Sequence, residues 1–188
     1  MDIVKKIKEH IVEICEKLDK MDDYVFHISI VETLSTSLAR KYGANEEIVR
    51  MAALLHDIGR IKFGPENHEE TGAIEAEKIL KELKVEAKKI EKIKECIKEH
   101  RHSKPTVPIS LEAKVLKIAD AYSHFKKPIE IVFMRVKEGA SIEESLKWMK
   151  EKLERDLKFL REMKSELEIE DIVKECEKIY ECFSCLIG

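Results

Sequence analysis

The segment from Ile48 to Leu55 is apolar at every position except Arg50, and His56 and Asp57 follow it at once. Asn45, with Glu46 and Glu47 behind it, is a suitable start for a helix, so this segment is predicted to be a buried central helix. A histidine and an aspartate at the end of a buried helix are costly to desolvate. A bound cation offsets that cost well, and a metal-free His–Asp hydrogen bond is the alternative. Other helices must therefore cover this apolar helix, and other polar residues must lie next to His56 and Asp57 at its end.

The composition predicts an all-α protein. The 188 residues include only 6 Gly and 4 Pro, while Lys, Glu, Leu and Ile, which favour helices, are abundant. Apolar periodicity predicts helices over 2–20, from Asp22 or Asp23 to Tyr42, from Asn45 to a stop at Gly59, and over 67–83, 86–100, 111–122, 142–163 and 168–186. Residues 129–136 fit either a short strand or a helical segment.

Charge and segment composition exclude several classes of function. The net charge of −3 argues against a partner of long nucleic acid, although a local basic site for a small phosphorylated ligand stays possible. The N-terminus lacks the features of a signal peptide, and no apolar stretch has the length of a membrane span. We therefore expect a cytoplasmic protein without a membrane partner. Five cysteines are an odd number, so no disulfide framework is expected, and Cys176, Cys182 and Cys185 are predicted to be buried thiols.

Further metal-ligating side chains follow at intervals along the chain. His27, His68, His100 and Asp120 each lie inside a predicted helix or at its end. Imidazole nitrogens and carboxylate oxygens are good ligands for divalent metals. The order His, His-Asp, His, His, Asp resembles the HD superfamily of metal-dependent phosphohydrolases, and His56-Asp57-Ile58-Gly59 resembles its HDIG subgroup. The resemblance covers about Asp23 to Phe125. It implies an HD-domain helical bundle over residues 1–128, with two extra C-terminal helices in an extension over 129–188 packed on the same domain.

The resemblance also implies roles for individual residues. His27, His56, Asp57 and Asp120 match the single-metal set, while His68 and His100 resemble the additions of two-metal members, with Asp57 as the bridge. The cofactor is then one or two divalent ions (Mn, Fe, Co, Ni, Zn or Mg). Asp57 and Arg60 are the predicted catalytic residues, and the predicted substrate contacts are Arg60, Lys62, Arg101, His102 and Lys104. Solvated loop cations are the alternative for Arg60 and Lys62, which are placed in a loop from Arg60 to Glu66. Tyr122 and His124 are assigned packing or surface roles, with the lining of a pocket as the alternative.

The implied function is hydrolysis of a small phosphorylated substrate, such as a nucleotide, through a metal-activated water. The His68-x-x-x-Gly72-Ala73 element looks most like bacterial HD proteins that cleave symmetrical dinucleoside tetraphosphates. Two alternatives stay open: a mixed-valence di-iron oxygenase of the same superfamily, and a non-catalytic nucleotide sensor. The C-terminal helices are candidates for a lid, a homodimer contact or extra core.

Overall fold

The computed structural model describes residues 2–101 and 109–187, and every regular element in these ranges is helical. The prediction of an all-α protein is therefore confirmed. The chain divides into two compact units, one ending at Ala119 and the other beginning at Asp120. The predicted boundary between residues 128 and 129 stays a prediction.

The first unit is built around the apolar helix that precedes His56. Its elements are α1 (Ile3–Lys17), α2 (Met21–Asp23), a π-helical turn (Tyr24–Ile28), α3 (Ser29–Tyr42), α4 (Glu46–Leu55), α5 (Ile58–Phe63), α6 (His68–Glu82), α7 (Ala87–Glu99) and the first part of α8 (Leu111–Lys126). Helix α4 packs against α1, α3 and α7, and α6 packs against α5 and α7. Every apolar side chain from Ile48 to Leu55 is buried, which confirms that α4 is the central helix.

Local signals set most helix ends where the sequence predicts them. The Asn45 side chain accepts a hydrogen bond from the Ile48 backbone N–H at 3.1 Å, and Ser110 accepts one from Ala113 at 3.2 Å. Gly43 ends α3 in the left-handed conformation, with φ of 74°. The predicted start of the second helix, with Asp22 or Asp23 as its cap, is wrong, because neither aspartate caps the helix. The helix begins earlier, at Met21, and Asp22 and Asp23 lie in its first turn. Carboxylates in a first turn interact favourably with the helix dipole.

Gly59 does not end the central helix, contrary to the prediction. Helix α4 ends at Leu55, and Gly59 lies inside the short helix α5, so Arg60 to Phe63 are helical and not part of a loop. A Cβ at Gly59 would lie 2.5 Å from the Gly72 backbone nitrogen and 2.6 Å from Thr71 Oγ1. Glycine is required here because the backbones of α5 and α6 approach each other closely.

The second unit contains the rest of α8 and three further helices. These are α9 (Pro128–Lys137), α10 (Ile142–Met163) and α11 (Glu170–Ile187), so residues 129–136 are helical and not a strand. Helix α10 packs against α9 and α11. Ser141 and Glu144 form a reciprocal capping box at the start of α10.

Two of the cysteine predictions are wrong. Cys176 is buried as expected, but Cys182 and Cys185 are exposed, because both lie on the outward side of the last turns of α11. All five cysteines carry free thiols. None of the helices in the described ranges has the length and apolar character needed to cross a membrane.

Candidate metal centre

Four histidines and one aspartate of the first unit converge at the end of the central helix. His56 and Asp57 lie between α4 and α5, and His27 lies in the π-helical turn. His68 is the first residue of α6, and His100 directly follows α7. His56 is fully buried, and His27, Asp57 and His100 are each at most 7% exposed. Five predicted ligands are therefore brought together in one buried cluster.

The two oxygens of the Asp57 carboxylate face different pairs of histidines. Oδ2 lies 3.5 Å from His27 Nε2 and 3.9 Å from His56 Nε2. Oδ1 lies 3.6 Å from His68 Nε2 and 3.7 Å from His100 Nε2. Asp57 thus belongs to two groups that offer metal-ligating atoms, one with His27 and His56 and the other with His68 and His100.

Backbone carbonyls fix the orientation of three of these rings. In each case Nδ1–H donates to the carbonyl three residues earlier: His56 to Ala53 at 2.7 Å, His68 to Pro65 at 3.0 Å and His100 to Ile97 at 2.5 Å. The last carbonyls of a helix have no partner within it, so α4 and α7 each orient the histidine that follows them. With the proton on Nδ1, the Nε2 lone pair of each ring points towards Asp57.

This arrangement fits a divalent metal ion. His27 Nε2 lies 3.0 Å from His56 Nε2. Two nitrogens bound to one ion at about 2.0–2.1 Å each lie about 2.8–3.4 Å apart at tetrahedral or octahedral angles. Lone pairs aimed at one another repel unless a cation or proton lies between them, so the donor set suits an ion that accepts both imidazole and carboxylate ligands.

The surroundings of Asp57 keep its carboxylate ionised. Burial alone raises its pKa, but in the metal-free protein the positive charge of His56 and His27 when protonated, a hydrogen bond from protonated His100 and the Arg60 guanidinium hold the pKa well below its usual value. Burial also lowers the pKa of His68, against the opposing effect of Asp57. A carboxylate that stays charged and a histidine that favours its neutral form are in the protonation states that metal ligands require.

The predicted substrate cations differ in their surroundings. Arg60 Nη1 lies 4.0 Å from Asp57 Oδ2, and the Arg60 side chain is 34% exposed, so it lies beside the cluster. Lys62 forms an ion pair with Glu75 on α6. Arg101 follows His100 and forms a 2.8 Å ion pair with Glu69. His102 and Lys104 lie outside the described residues.

Sequence reasoning missed Glu69, which is only 1% exposed. Glu69 is one of two acidic residues in the first turn of α6. In the sequence it therefore looks like an ordinary exposed carboxylate that interacts favourably with the helix dipole. Glu69 directly follows the predicted ligand His68, and Arg101 directly follows the predicted ligand His100. If the two histidines meet, the acid and the arginine beside them can pair, and this was the signal that could have identified Glu69. Glu69 Oε2 also lies 3.9 Å from His68 Nδ1.

Asp120 lies on the part of α8 that belongs to the second unit, and it is 5% exposed. Its role as a metal ligand stays a prediction. In the same unit, His124 Nε2 lies 3.6 Å from Asp120 Oδ1, and His124 Nδ1 lies 2.9 Å from Asp156 Oδ2. Sequence reasoning missed Asp156, although it lies at helical spacing from Leu153 and Leu160 on the buried face of α10. The signal that could have identified Asp156 was an acidic residue on the otherwise apolar face of a predicted helix.

Comparison with known proteins gives one family and one solved structure. The family model described as "HD domain" matches residues 24–124. A crystal structure of a predicted HD superfamily hydrolase from an uncultured Thermotogales bacterium is similar to this chain, with a TM-score of 0.55 and 23% identity. The match covers 86% of this chain and 91% of that one, and it supports the shared helical fold. A search of curated proteins found no match.

Proposed function

This chain belongs to the HD domain family, whose members are mostly metal-dependent hydrolases, and we propose that it is a phosphohydrolase or phosphodiesterase acting on a small nucleotide or related phosphoester. The observation that carries the proposal is the Asp57 carboxylate, whose two oxygens face different pairs of histidine nitrogens. A carboxylate between two sets of imidazoles suits two neighbouring divalent ions that share it as a ligand.

The donor set favours transition metals. Four imidazoles surround a single carboxylate, and imidazole suits zinc, iron, cobalt and nickel, with manganese also accepting mixed nitrogen and oxygen ligands. Magnesium prefers oxygen ligands and retains several waters. We therefore expect Mn, Fe, Co, Ni or Zn, in preference to Mg, to support activity.

The chain's own residues have separable parts in the proposed reaction. The Nδ1 bonds hold His56, His68 and His100 with their lone pairs towards the cluster, and Asp57 stays ionised there. Bound divalent ions supply an acidified water as nucleophile and positive charge next to the phosphoryl oxygens. Asp120 is the predicted additional ligand.

Two arginines are suited to hold the substrate. Arg60 lies beside Asp57 and is partly exposed, so its guanidinium is available to donate to phosphoryl oxygens in bidentate fashion. Arg101 is held by the buried Glu69 carboxylate, which fixes its position next to His100. A substrate whose compact anionic group binds at the metals, and which has a second polar group nearby, could accept hydrogen bonds from both arginines. Small nucleotides and other phosphoesters meet that requirement.

The test is hydrolysis of nucleotides, dinucleoside polyphosphates, cyclic nucleotides and simple phosphomonoesters, with each of the candidate metals added in turn, followed both as released phosphate and as nucleotide products separated by chromatography. The Asp57→Asn variant keeps the shape of the side chain but removes the shared charge. We expect its activity and its metal affinity to fall by at least about 100-fold, since even the loss of an outer partner costs 10–100-fold in affinity. The Asp171→Asn variant changes an exposed aspartate of α11 and is the matched control, with activity like the wild type.

Silence across this panel, with metal bound to the wild type, would contradict the proposal. Substrate-dependent oxygen uptake by iron-loaded protein would then favour the di-iron oxygenase. Tight nucleotide binding without turnover at any metal would favour the sensor. Equal activity of Asp57→Asn and wild type would refute the assignment of the site itself.

A further inference from the structure

His124 lies between two buried carboxylates within the second unit. It is one helical turn after Asp120 on α8, and Asp156 approaches it from α10. His124 and Asp120 are each 5% exposed and Asp156 is 1% exposed. The Nδ1 of His124 lies 2.9 Å from Asp156 Oδ2, and its Nε2 lies 3.6 Å from Asp120 Oδ1. Three titratable groups thus form a line from Asp156 through His124 to Asp120.

The distances determine which nitrogen of His124 donates to Asp156 and which one faces Asp120. At 2.9 Å, Nδ1–H donates to the Asp156 carboxylate, and this leaves the Nε2 lone pair facing the Asp120 carboxylate. Two electron-pair donors at 3.6 Å repel each other unless a cation lies between them or the ring gains a second proton. A histidine that donates one N–H to a carboxylate and presents the other nitrogen next to a second carboxylate has the arrangement of a metal-ligating histidine.

We propose that His124 Nε2 is a metal-ligating atom beside Asp120 Oδ1, and that Asp156 is its positioning residue; the inference rests on the proposed function only in taking Asp120 as a metal ligand. The Asp156 carboxylate acts on His124 as the backbone carbonyls act on His56, His68 and His100, but with a full negative charge. It therefore fixes the tautomer and makes Nε2 a stronger donor to the metal. This assigns His124 a role beyond packing.

The experiment measures cobalt(II) binding to the full chain after metal removal, by calorimetry and by the visible absorption spectrum of the bound ion. In the His124→Asn variant the shorter amide can still donate to Asp156, but the Nε2 atom is lost. We expect cobalt affinity to fall about 10–100-fold and the spectrum to change, since a nitrogen ligand is replaced. Asp156→Asn keeps Nε2 and is expected to weaken affinity within the same range. His10→Asn, on α1, is the control and should bind cobalt like the wild type.

A second measurement observes the proposed ligand atom directly in the wild-type protein. In wild-type protein with ¹⁵N-labelled histidine, we expect the Nε2 resonance of His124 to shift on addition of zinc while Nδ1 keeps its proton. The resonance is assigned by its absence in His124→Asn. An unchanged Nε2 resonance in zinc-loaded protein would overturn the inference.

The outcomes separate this inference from the proposed function. If the wild type binds no divalent metal, both fail together. If it binds cobalt and Asp57→Asn loses it, but His124→Asn keeps the affinity and spectrum, only the assignment of His124 fails. A lower thermal stability of metal-free His124→Asn with unchanged cobalt binding would identify a purely structural hydrogen bond to Asp156 and would also overturn it.

Discussion

Replacing Gly59 by alanine should destabilise the protein, although alanine is the better helix former. Gly59 lies inside α5, where alanine would ordinarily gain about 1 kcal/mol over glycine. Against this, the new Cβ would clash with the His68 carbonyl oxygen and lie 2.5 Å from the Gly72 backbone nitrogen. Overpacking typically costs about 1–3 kcal/mol, and backbone atoms cannot rotate away, so the upper value of about 3 kcal/mol applies. The net loss is about 2 kcal/mol.

For a chain of this length, 1 kcal/mol corresponds to about 2–4 °C, so the melting temperature of metal-free Gly59→Ala should fall by about 4–8 °C. Because the clashing oxygen belongs to His68, we also expect weaker metal binding, measured by cobalt titration. Gly72→Ala is the matched control. Its Cβ would lie 3.3 Å from the His56 carbonyl oxygen and 3.4 Å from the Gly59 nitrogen, which small shifts relieve. If Gly59→Ala were as stable as Gly72→Ala, the reasoning from close backbone approach would be refuted.

Two further predictions concern protons and thiols. Burial lowers the pKa of His124 to about 4, so between about pH 6.5 and 4 the unfolded chain binds more protons than the folded one. Acidification through that window should therefore lower the free energy of unfolding, less steeply in His124→Asn, and urea titrations with equal pH slopes would contradict this. Burial also raises the thiol pKa of Cys15 to about 11 and of Cys96 to about 12. A disulfide reagent should thus modify only the two exposed thiols of the native protein and all five in denaturant, and a third fast thiol would argue against the burial.

The fold was largely predictable because helix signals in this chain are local. Asn45, Ser110 and Gly43 act through hydrogen bonds or backbone conformations within their own turns, so their effects can be deduced from neighbouring residues. Gly59 was misjudged for the opposite reason. Its requirement for glycine comes from α6, which is close in space but begins nine residues later, and local rules cannot indicate such an approach. The ambiguity at residues 129–136 was equally a limit of periodicity in short apolar segments.

The site was predictable to a different extent. His27, His56, Asp57, His68 and His100 followed from the resemblance to a known motif set, and the structure brings their side chains together. Their supporting groups did not follow, because three of the histidine partners are backbone carbonyls, which carry no sequence signature.

Partners of charged residues were also hidden. Lys62 was grouped with the substrate contacts by its position after the motif, but its ammonium group is bound by Glu75, one helix further on. The sequence shows that a residue is charged but does not show which residue of opposite charge it pairs with.

The π-helical turn that carries His27 has a consequence for the evolution of the chain. A π turn closes hydrogen bonds from residue i to residue i+5, so it holds one residue more than an α-helical turn. Deleting Ile28 would restore regular α-helix and rotate His27 by about 100° relative to α3. A substitution of the exposed Val25 leaves the length of the turn unchanged, whereas a change of length by one residue would turn the imidazole away from Asp57. We therefore expect relatives that use this histidine to conserve the number of residues here more strictly than their identity.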